Sequence, residues 1–277
     1  MCIRDRTNTV DQPKKVTTST VARMKQAGEK IAMITAYDYT MAQLVDAAGV
    51  DLILVGDSAA NVMTGYSSTL PITLDEMIYH GKCVANGTRR AMVIVDMPFG
   101  TYQGDEQTAV RSAVRILKES GASAVKLEGG SEIRGSIERI LSAGIPVMGH
   151  LGLTPQSVNK FGGYGIRAKE EAEAQRLIDD ALMLQELGCF ALVLEKVPAE
   201  LAARVAGMLR IPVIGIGAGA SVDGQVLVLQ DMLGMNRGFR PKFLRTYASL
   251  ADTIEQAVGS YVTDVKSVAF PTAEESY

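Results

Sequence analysis

Asp57, Asp96 and Glu128 each stand at the end of a short, almost wholly apolar run. The runs are Leu52-Ile53-Leu54-Val55-Gly56-Asp57, Met92-Val93-Ile94-Val95-Asp96 and Ala124-Val125-Lys126-Leu127-Glu128. Carboxylates delivered by three consecutive runs can converge on one point. Hard oxygen donors with no cysteine among them suit Mg²⁺, which keeps waters or substrate oxygens in its octahedron. The competing account is that each Asp caps the helix or turn that follows it. Ser58, taken alone, is either such a cap or a hydroxyl that holds a substrate carboxylate. Lys126 precedes Glu128 by two residues, so on a strand both side chains face the same way. An inward lysine serves as a charge partner or as a Schiff-base nucleophile; acidic neighbours keep it protonated and favour anion binding. A surface ion pair on a strand of different register is the plainer alternative.

Two more runs end in ionisable residues. His150 follows Val147-Met148-Gly149, a place open to a catalytic or a structural histidine, whereas His80, inside Met77-Ile78-Tyr79-His80, reads as structural. Glu195 closes Ala191-Leu192-Val193-Leu194. A carboxylate set among apolar residues gains a raised pKa and suits a general base. The alternatives are an ion pair with Lys196 or a charge at a helix N-terminus. The segment Gly215-Ile216-Gly217-Ala218-Gly219-Ala220 fits an anion cradle or, more simply, close packing of backbone.

The elements that must position these residues follow from the same runs. Strands are expected at 31–36, 52–55, 92–95, 124–127, 147–149, 191–194, 213–216 and 226–229. Their continuous apolarity is that of parallel strands covered on both faces. Helical periodicity marks 105–120, 170–187 and 249–265, the second ending at Gly188. Strand and helix alternating through about 250 residues predict an α/β fold, a (β/α)8 TIM barrel, with a doubly wound open sheet as the competitor. A barrel gathers its active site at the C-terminal strand ends, where Asp38, Asp57, Asp96, Lys126, Glu128, His150 and Glu195 all fall. Glu195 is expected across the barrel from the three acids. Residues 17–277 read as a single barrel domain, and residues 1–16 as a disordered leader.

Composition excludes several functions. The chain has 277 residues, 47% hydrophobic and 21% charged, enough to bury a sizeable core. With 28 Lys and Arg against 31 Asp and Glu, its net charge of -3 offers no field for nucleic acid or an acidic membrane. Three scattered cysteines and two histidines exclude a disulfide framework, a CxxC knuckle and a histidine-rich zinc site. No apolar run is long enough to span a bilayer and no signal peptide is evident, so the expected compartment is the reducing cytoplasm.

Several segments together carry a resemblance. They are Val55-Gly56-Asp57-Ser58, Thr69-Leu70-Pro71-Ile72-Thr73, Val95-Asp96-Met97-Pro98-Phe99 and Val125-Lys126-Leu127-Glu128-Gly129-Gly130. To these add Gly149-His150-Leu151-Gly152-Leu153-Thr154-Pro155-Gln156-Ser157-Val158, Phe161-Gly162-Gly163-Tyr164, Val193-Leu194-Glu195 and the run from Ile211 to Gly219. In this order the chain resembles the ketopantoate hydroxymethyltransferase family from about Thr17 onward. The resemblance implies a barrel of the phosphoenolpyruvate/pyruvate superfamily that assembles as a homodecamer. It also implies transfer of a hydroxymethyl group from 5,10-methylenetetrahydrofolate to 3-methyl-2-oxobutanoate, giving 2-dehydropantoate for pantothenate and coenzyme A synthesis. By matched motif it implies Mg²⁺ at Asp57, Asp96 and Glu128, oxoacid contacts from Asp57, Ser58, Asp96 and Lys126, and Glu195 as proton acceptor. His150 matches a histidine of the pocket. The chain departs from the commoner pattern after Ser58: Ala59-Ala60-Asn61 and Gly65-Tyr66 stand where Leu-Gly-Met and a histidine are usual, which leaves the loop over the site open. The alternatives are another Mg²⁺-dependent 2-oxo-acid lyase or mutase on the same barrel, often marked by a cysteine-bearing loop that this chain lacks, or a non-catalytic binding barrel.

Overall fold

The computed structural model describes residues 14–277. The apolar runs form eight strands: β1 Ile31–Thr35, β2 Leu52–Val55, β3 Met92–Asp96, β4 Ala124–Glu128, β5 Val147–Gly152, β6 Ala191–Glu195, β7 Val213–Ile216 and β8 Gly224–Leu227. All neighbours pair in parallel, and β8 pairs with β1 to close the ring, which excludes the doubly wound sheet. Helices between successive strands, except β7 and β8, cover the outside, among them Leu74–Gly87, Glu106–Ser120 and Glu171–Leu187. Local chemistry sets their limits. Thr73 and Glu76 form a reciprocal capping box, Asp105 accepts from the Thr108 N–H at 2.8 Å, and Gly188 ends its helix in the left-handed conformation.

The eighth strand departs from expectation in register and in its connection. It begins at Gly224, not at 226, and residues 217–223 reach it from β7 with no intervening helix. Gly224 and Gln225 disguise the strand because neither is apolar. The Gln225 side chain turns outward to donate to the Gly219 carbonyl at 2.8 Å, while Gly224 is packed against β1 and β7. In the connection Gly217 (φ +63°) and Gly219 (φ +81°) turn the chain, and a Cβ on Gly219 would meet Ala199 at 2.5 Å. The glycine run is therefore there for close packing.

Apolar side chains form two clusters, as a closed sheet requires. One lies between strands and helices; the other fills the barrel with Met33, Leu52, Leu54, Met92, Ile94 and Val193, among others. The helix Thr18–Gln26 plugs the lower end by placing Val21 and Met24 in this inner cluster. Lys25 ties the plug to the far end of the chain, donating to Asp223 at 2.6 Å and to the Ala206 carbonyl at 2.9 Å. Val16 is buried in the inner cluster, and its N–H donates to the Arg90 carbonyl at 2.8 Å. Most of the expected leader, residues 1–13, lies outside the described residues.

The last helix, Leu250–Lys266, differs from the rest: none of its residues is buried, although Ile254, Val258, Tyr261, Val262 and Val265 recur at helical spacing. No helix among the described residues is long and apolar enough to cross a membrane.

Barrel closure predicts opposite effects from two glycine-to-alanine substitutions. A Cβ on Gly224 would fall on the Ile31 carbonyl oxygen and lie 2.7 Å from Ile214 Cδ1, so Gly224→Ala should lower stability by about 1–3 kcal/mol. Gly207, exposed near the end of the helix Ala199–Met208, would give its Cβ open space. Gly207→Ala should raise stability by about 0.5–1 kcal/mol. Urea unfolding of both variants checks the sign of each change.

Candidate active site

Along the strands, the positions facing the barrel interior change from apolar to ionisable toward the C-terminal end. β3 runs Met92, Ile94, Asp96; β4 runs Ala124, Lys126, Glu128; β5 presents Met148 and then His150; β6 runs Ala191, Val193, Glu195. The period of two places these groups inside the barrel, and the register brings Asp96 level with Lys126 and Glu128 level with His150. Asp57 joins them from the turn after β2. Gly56 lets the backbone pass, since a Cβ there would come within 2.8 Å of Ser58 Oγ, and the Asp57 N–H then donates to Asp96 Oδ2 at 3.1 Å.

Lys126 is the hub. Its Nζ lies 3.0 Å from Asp96 Oδ1, 3.9 Å from Glu128 Oε1 and 3.1 Å from His150 Nδ1, with all four side chains no more than 4% exposed. Burial alone would discharge the amine, but Asp96, Glu128 and Asp57 outweigh it and push the Lys126 pKa up. Burial, with the charges of Glu128 and Asp96, holds the Asp57 carboxyl well above the usual carboxylate range. Burial also raises Asp96 against the pull of Lys126. For Glu128 burial opposes ionisation, and contacts with His150, Lys126 and the Gln156 N–H prevail, leaving its pKa below the ordinary value.

His150 connects this cluster to Glu195. Burial and the Lys126 charge push its pKa down, so the ring is neutral at pH 7. Nδ1 stands between the Lys126 ammonium at 3.1 Å and Glu128 Oε1 at 3.3 Å, while Nε2, with no hydrogen-bond partner among the described residues, lies 3.5 Å from Glu195 Oε2. Glu195 stands across the barrel from Asp57, as expected, since β6 lies four strands from β2 in the ring, and His150 links it to Glu128. An eight-stranded barrel is narrow enough that one imidazole spans from β4 to β6. Burial, then the Glu128 charge, pushes the Glu195 pKa up to about 8, although the side chain keeps 16% of its surface open. Lys196 does not form the alternative ion pair: its ammonium donates to the Tyr164 carbonyl.

The capping alternatives separate cleanly. Asp38 is a cap, accepting from the Met41 N–H at 2.9 Å at the start of the helix Tyr39–Ala47. The other three acids are turned to the site: Asp96 accepts from the Asp57 N–H, and Asp57 and Glu128 accept from Gln156. Ser58 stands before the short helix Ala59–Val62 without a side-chain cap bond, and its Oγ lies 2.8 Å from the Tyr37 hydroxyl. The divergent segment folds compactly over this point: Ala59 and Ala60 are buried, and Asn61 donates to the Tyr66 carbonyl at 2.8 Å. His80 is structural, with Nδ1 2.8 Å from the Tyr37 carbonyl.

Three residues of the site escape a search of strand ends because they lie in loops or beyond the first strand. Tyr37 holds Ser58, Tyr102 accepts the Glu128 N–H at 3.1 Å, and Gln156 donates to Asp57 at 2.9 Å. The signal available for Gln156 was its place in the segment Gly149 to Val158, and Tyr37 and Tyr102 had none beyond being near a strand end.

The oxygen-only donor set fits a hard divalent cation. Asp96 Oδ1 is buried and, despite its nearness to Lys126, meets no donor in hydrogen-bonding geometry. Among the described residues no three His, Cys, Asp or Glu side chains form a ready cage. Mg²⁺ needs none, since it commonly takes one or two carboxylates and completes its shell with water and substrate oxygens. Two surface clefts, of about 550 and 380 Å³, are lined by other residues, including Asp105 and Glu106 in the first and Lys160 and Arg167 in the second.

The chain is similar to known proteins along nearly all its length. It is 66% identical over 268 residues to the 3-methyl-2-oxobutanoate hydroxymethyltransferase of Parabacteroides distasonis, covering 97% of this chain and 98% of that one. The protein of the same name from Flavobacterium johnsoniae is 63% identical over 264 residues, covering 95% and 97%. Among solved structures, phosphonopyruvate hydrolase in complex with oxalate and Mg²⁺ aligns with a TM-score of 0.59 at 13% identity, over 94% of this chain and 93% of that one. A 2,3-dimethylmalate lyase of the PEP mutase/isocitrate lyase superfamily aligns with a TM-score of 0.56 at 15% identity, over 94% and 91%. At such identities the structures speak to the shared barrel only. The family model for ketopantoate hydroxymethyltransferase matches residues 15–273. The chain belongs to the ketopantoate hydroxymethyltransferase family.

Proposed function

We propose that the chain transfers a hydroxymethyl group from 5,10-methylenetetrahydrofolate to 3-methyl-2-oxobutanoate, forming 2-dehydropantoate, with Glu195 as the base. The observation that carries this reading is the pairing of a proton-hungry Glu195 with a buried, charged Lys126 through one imidazole. Lys126 and Ser58 suit the carboxylate of a 2-oxo acid, and Asp57, Asp96 and Glu128 suit Mg²⁺. When bound, the ion would polarise the oxo group and stabilise negative charge on its oxygen. Glu195 takes the proton from C3 of the oxoacid, and that carbon forms a bond to the folate's methylene carbon. Water supplies the hydroxyl oxygen as tetrahydrofolate leaves.

Residues 17–277 are read as one domain. The free thiols Cys83 and Cys189 suit the reducing cytoplasm. Assembly as a homodecamer is supported by the helix Leu250–Lys266, whose apolar row has no partner among the described residues.

Proton NMR of 3-methyl-2-oxobutanoate in D₂O tests the first half of the reaction without folate. The C3 proton should exchange only with enzyme and Mg²⁺ present, EDTA should stop it, and Glu195→Gln should slow it by about 10²–10⁴-fold. A folded, metal-loaded enzyme that leaves C3 untouched would sink the reading. Because the base works ionised, kcat/KM for exchange should climb with pH and level off above about 8, the Glu195 pKa. A flat profile from about pH 6 to 9 would assign proton removal to another group. For assembly, light scattering should give the mass of ten chains, and Val258→Glu with Tyr261→Glu should reduce it; an unchanged mass removes that helix from the interface.

A further inference from the structure

Gln156 has every polar atom of its side chain engaged, although it lies on a turn and not on a strand. It sits in the single turn Pro155–Ser157 after β5 and is 6% exposed. Its Nε2 donates to Asp57 Oδ2 at 2.9 Å and to the Met97 carbonyl at 3.0 Å. Its Oε1 accepts from the Tyr102 hydroxyl at 2.8 Å and from Gln103 Nε2 at 2.9 Å. Its backbone N–H donates to Glu128 Oε2 at 2.9 Å. These partners leave only one orientation of the amide, because a carboxylate and a carbonyl need its NH₂ while a hydroxyl and an amide donate to its oxygen. Tyr102, fully buried, accepts from the Glu128 N–H and so locks the amide to the strand that carries Glu128.

The residue thus engages two of the three acids by one oxygen each. Asp57 Oδ1 accepts no hydrogen bond among the described residues, and Glu128 Oε1 faces Lys126 and His150. We propose that Gln156 is a positioning residue for the divalent cation: by holding Asp57 Oδ2 and Glu128 Oε2 it leaves the other oxygen of each, with Asp96 Oδ1, free for the ion's shell. The inference rests on the cation reading above. Partners that orient metal-binding carboxylates commonly change affinity by 10–100-fold when removed. Gln156→Met keeps length and the backbone N–H while deleting both ends of the amide, and Tyr102→Phe deletes only the hydroxyl that aims it.

Mn²⁺ binding, followed by the electron paramagnetic resonance signal of the free ion, measures the effect on the full-length protein without turnover. The parent should bind, Gln156→Met should bind about 10–100-fold more weakly, and Tyr102→Phe should fall between them. In turnover, added Mg²⁺ should restore much of the kcat of Gln156→Met, because a displaced ligand is overcome by mass action and a misfolded chain is not. Variants that melt earlier yet bind Mn²⁺ within about twofold of the parent would leave Gln156 a purely structural role and overturn the proposal. Should Gln156→Met fail to fold, Tyr102→Phe decides alone: weaker binding supports the proposal and unchanged binding refutes it. A parent that binds no Mn²⁺ defeats the cation reading and this one together, whereas binding unaffected by either substitution defeats only this one.

Discussion

Lys126 is a single ammonium held 3.0 Å from Asp96 and 3.9 Å from Glu128, its side chain 4% exposed, inside a barrel whose lower half is filled by apolar side chains. A charge taken from water is tolerated only where opposite charges replace the lost hydration. The dependence is mutual. Lys126 keeps its proton because the acids surround it, and Glu128 stays ionised partly because Lys126 is there. The acids outnumber the one cation, and burial with their mutual repulsion raises the pKa of Asp57 and Asp96. A divalent ion, which a 2-oxo acid can help to bind, suits that imbalance.

The labour is divided between strands and loops. Strands deliver the charged groups, since their pairing fixes which residues are level and which face inward. Loops deliver the groups that set angles: Tyr37 on Ser58, Tyr102 and Gln156 on Asp57 and Glu128. A strand end alone leaves a carboxylate free to rotate about its side-chain bonds. Neutral donors that carry no net charge restrict that rotation without altering the charge balance around Lys126.

Much of this was legible in the sequence because apolar runs and their polar ends obey simple periods. Asp96, Lys126, Glu128, His150 and Glu195 all announce themselves as inward positions at strand ends. Asp38 does so too and yet is a helix cap, because the residue that follows a strand belongs as often to the next helix as to the cavity. The eighth strand was displaced by two residues because Gly224 and Gln225 are selected by contact with β1 and by an outward hydrogen bond, not by apolarity. The distance between Glu195 and the acids follows from the barrel's width and from the reach of His150, neither of which a linear pattern records. Gln156 lies outside any strand, and its importance arises from partners 54 and 99 residues away.

The tie between Lys25 and Asp223 joins residues 198 positions apart, and β1 is completed only by β8. The ribosome makes the plug and first strand early and their partners late. Until some four-fifths of the chain has been synthesised, β1 therefore keeps an edge of unpaired backbone groups, and the apolar face of the plug has no complete barrel to fill. Contacts so distant in sequence make folding slow, and open strand edges are templates for pairing with other chains. The same closure that buries Lys126 thus gives the nascent protein a long interval of exposure to aggregation.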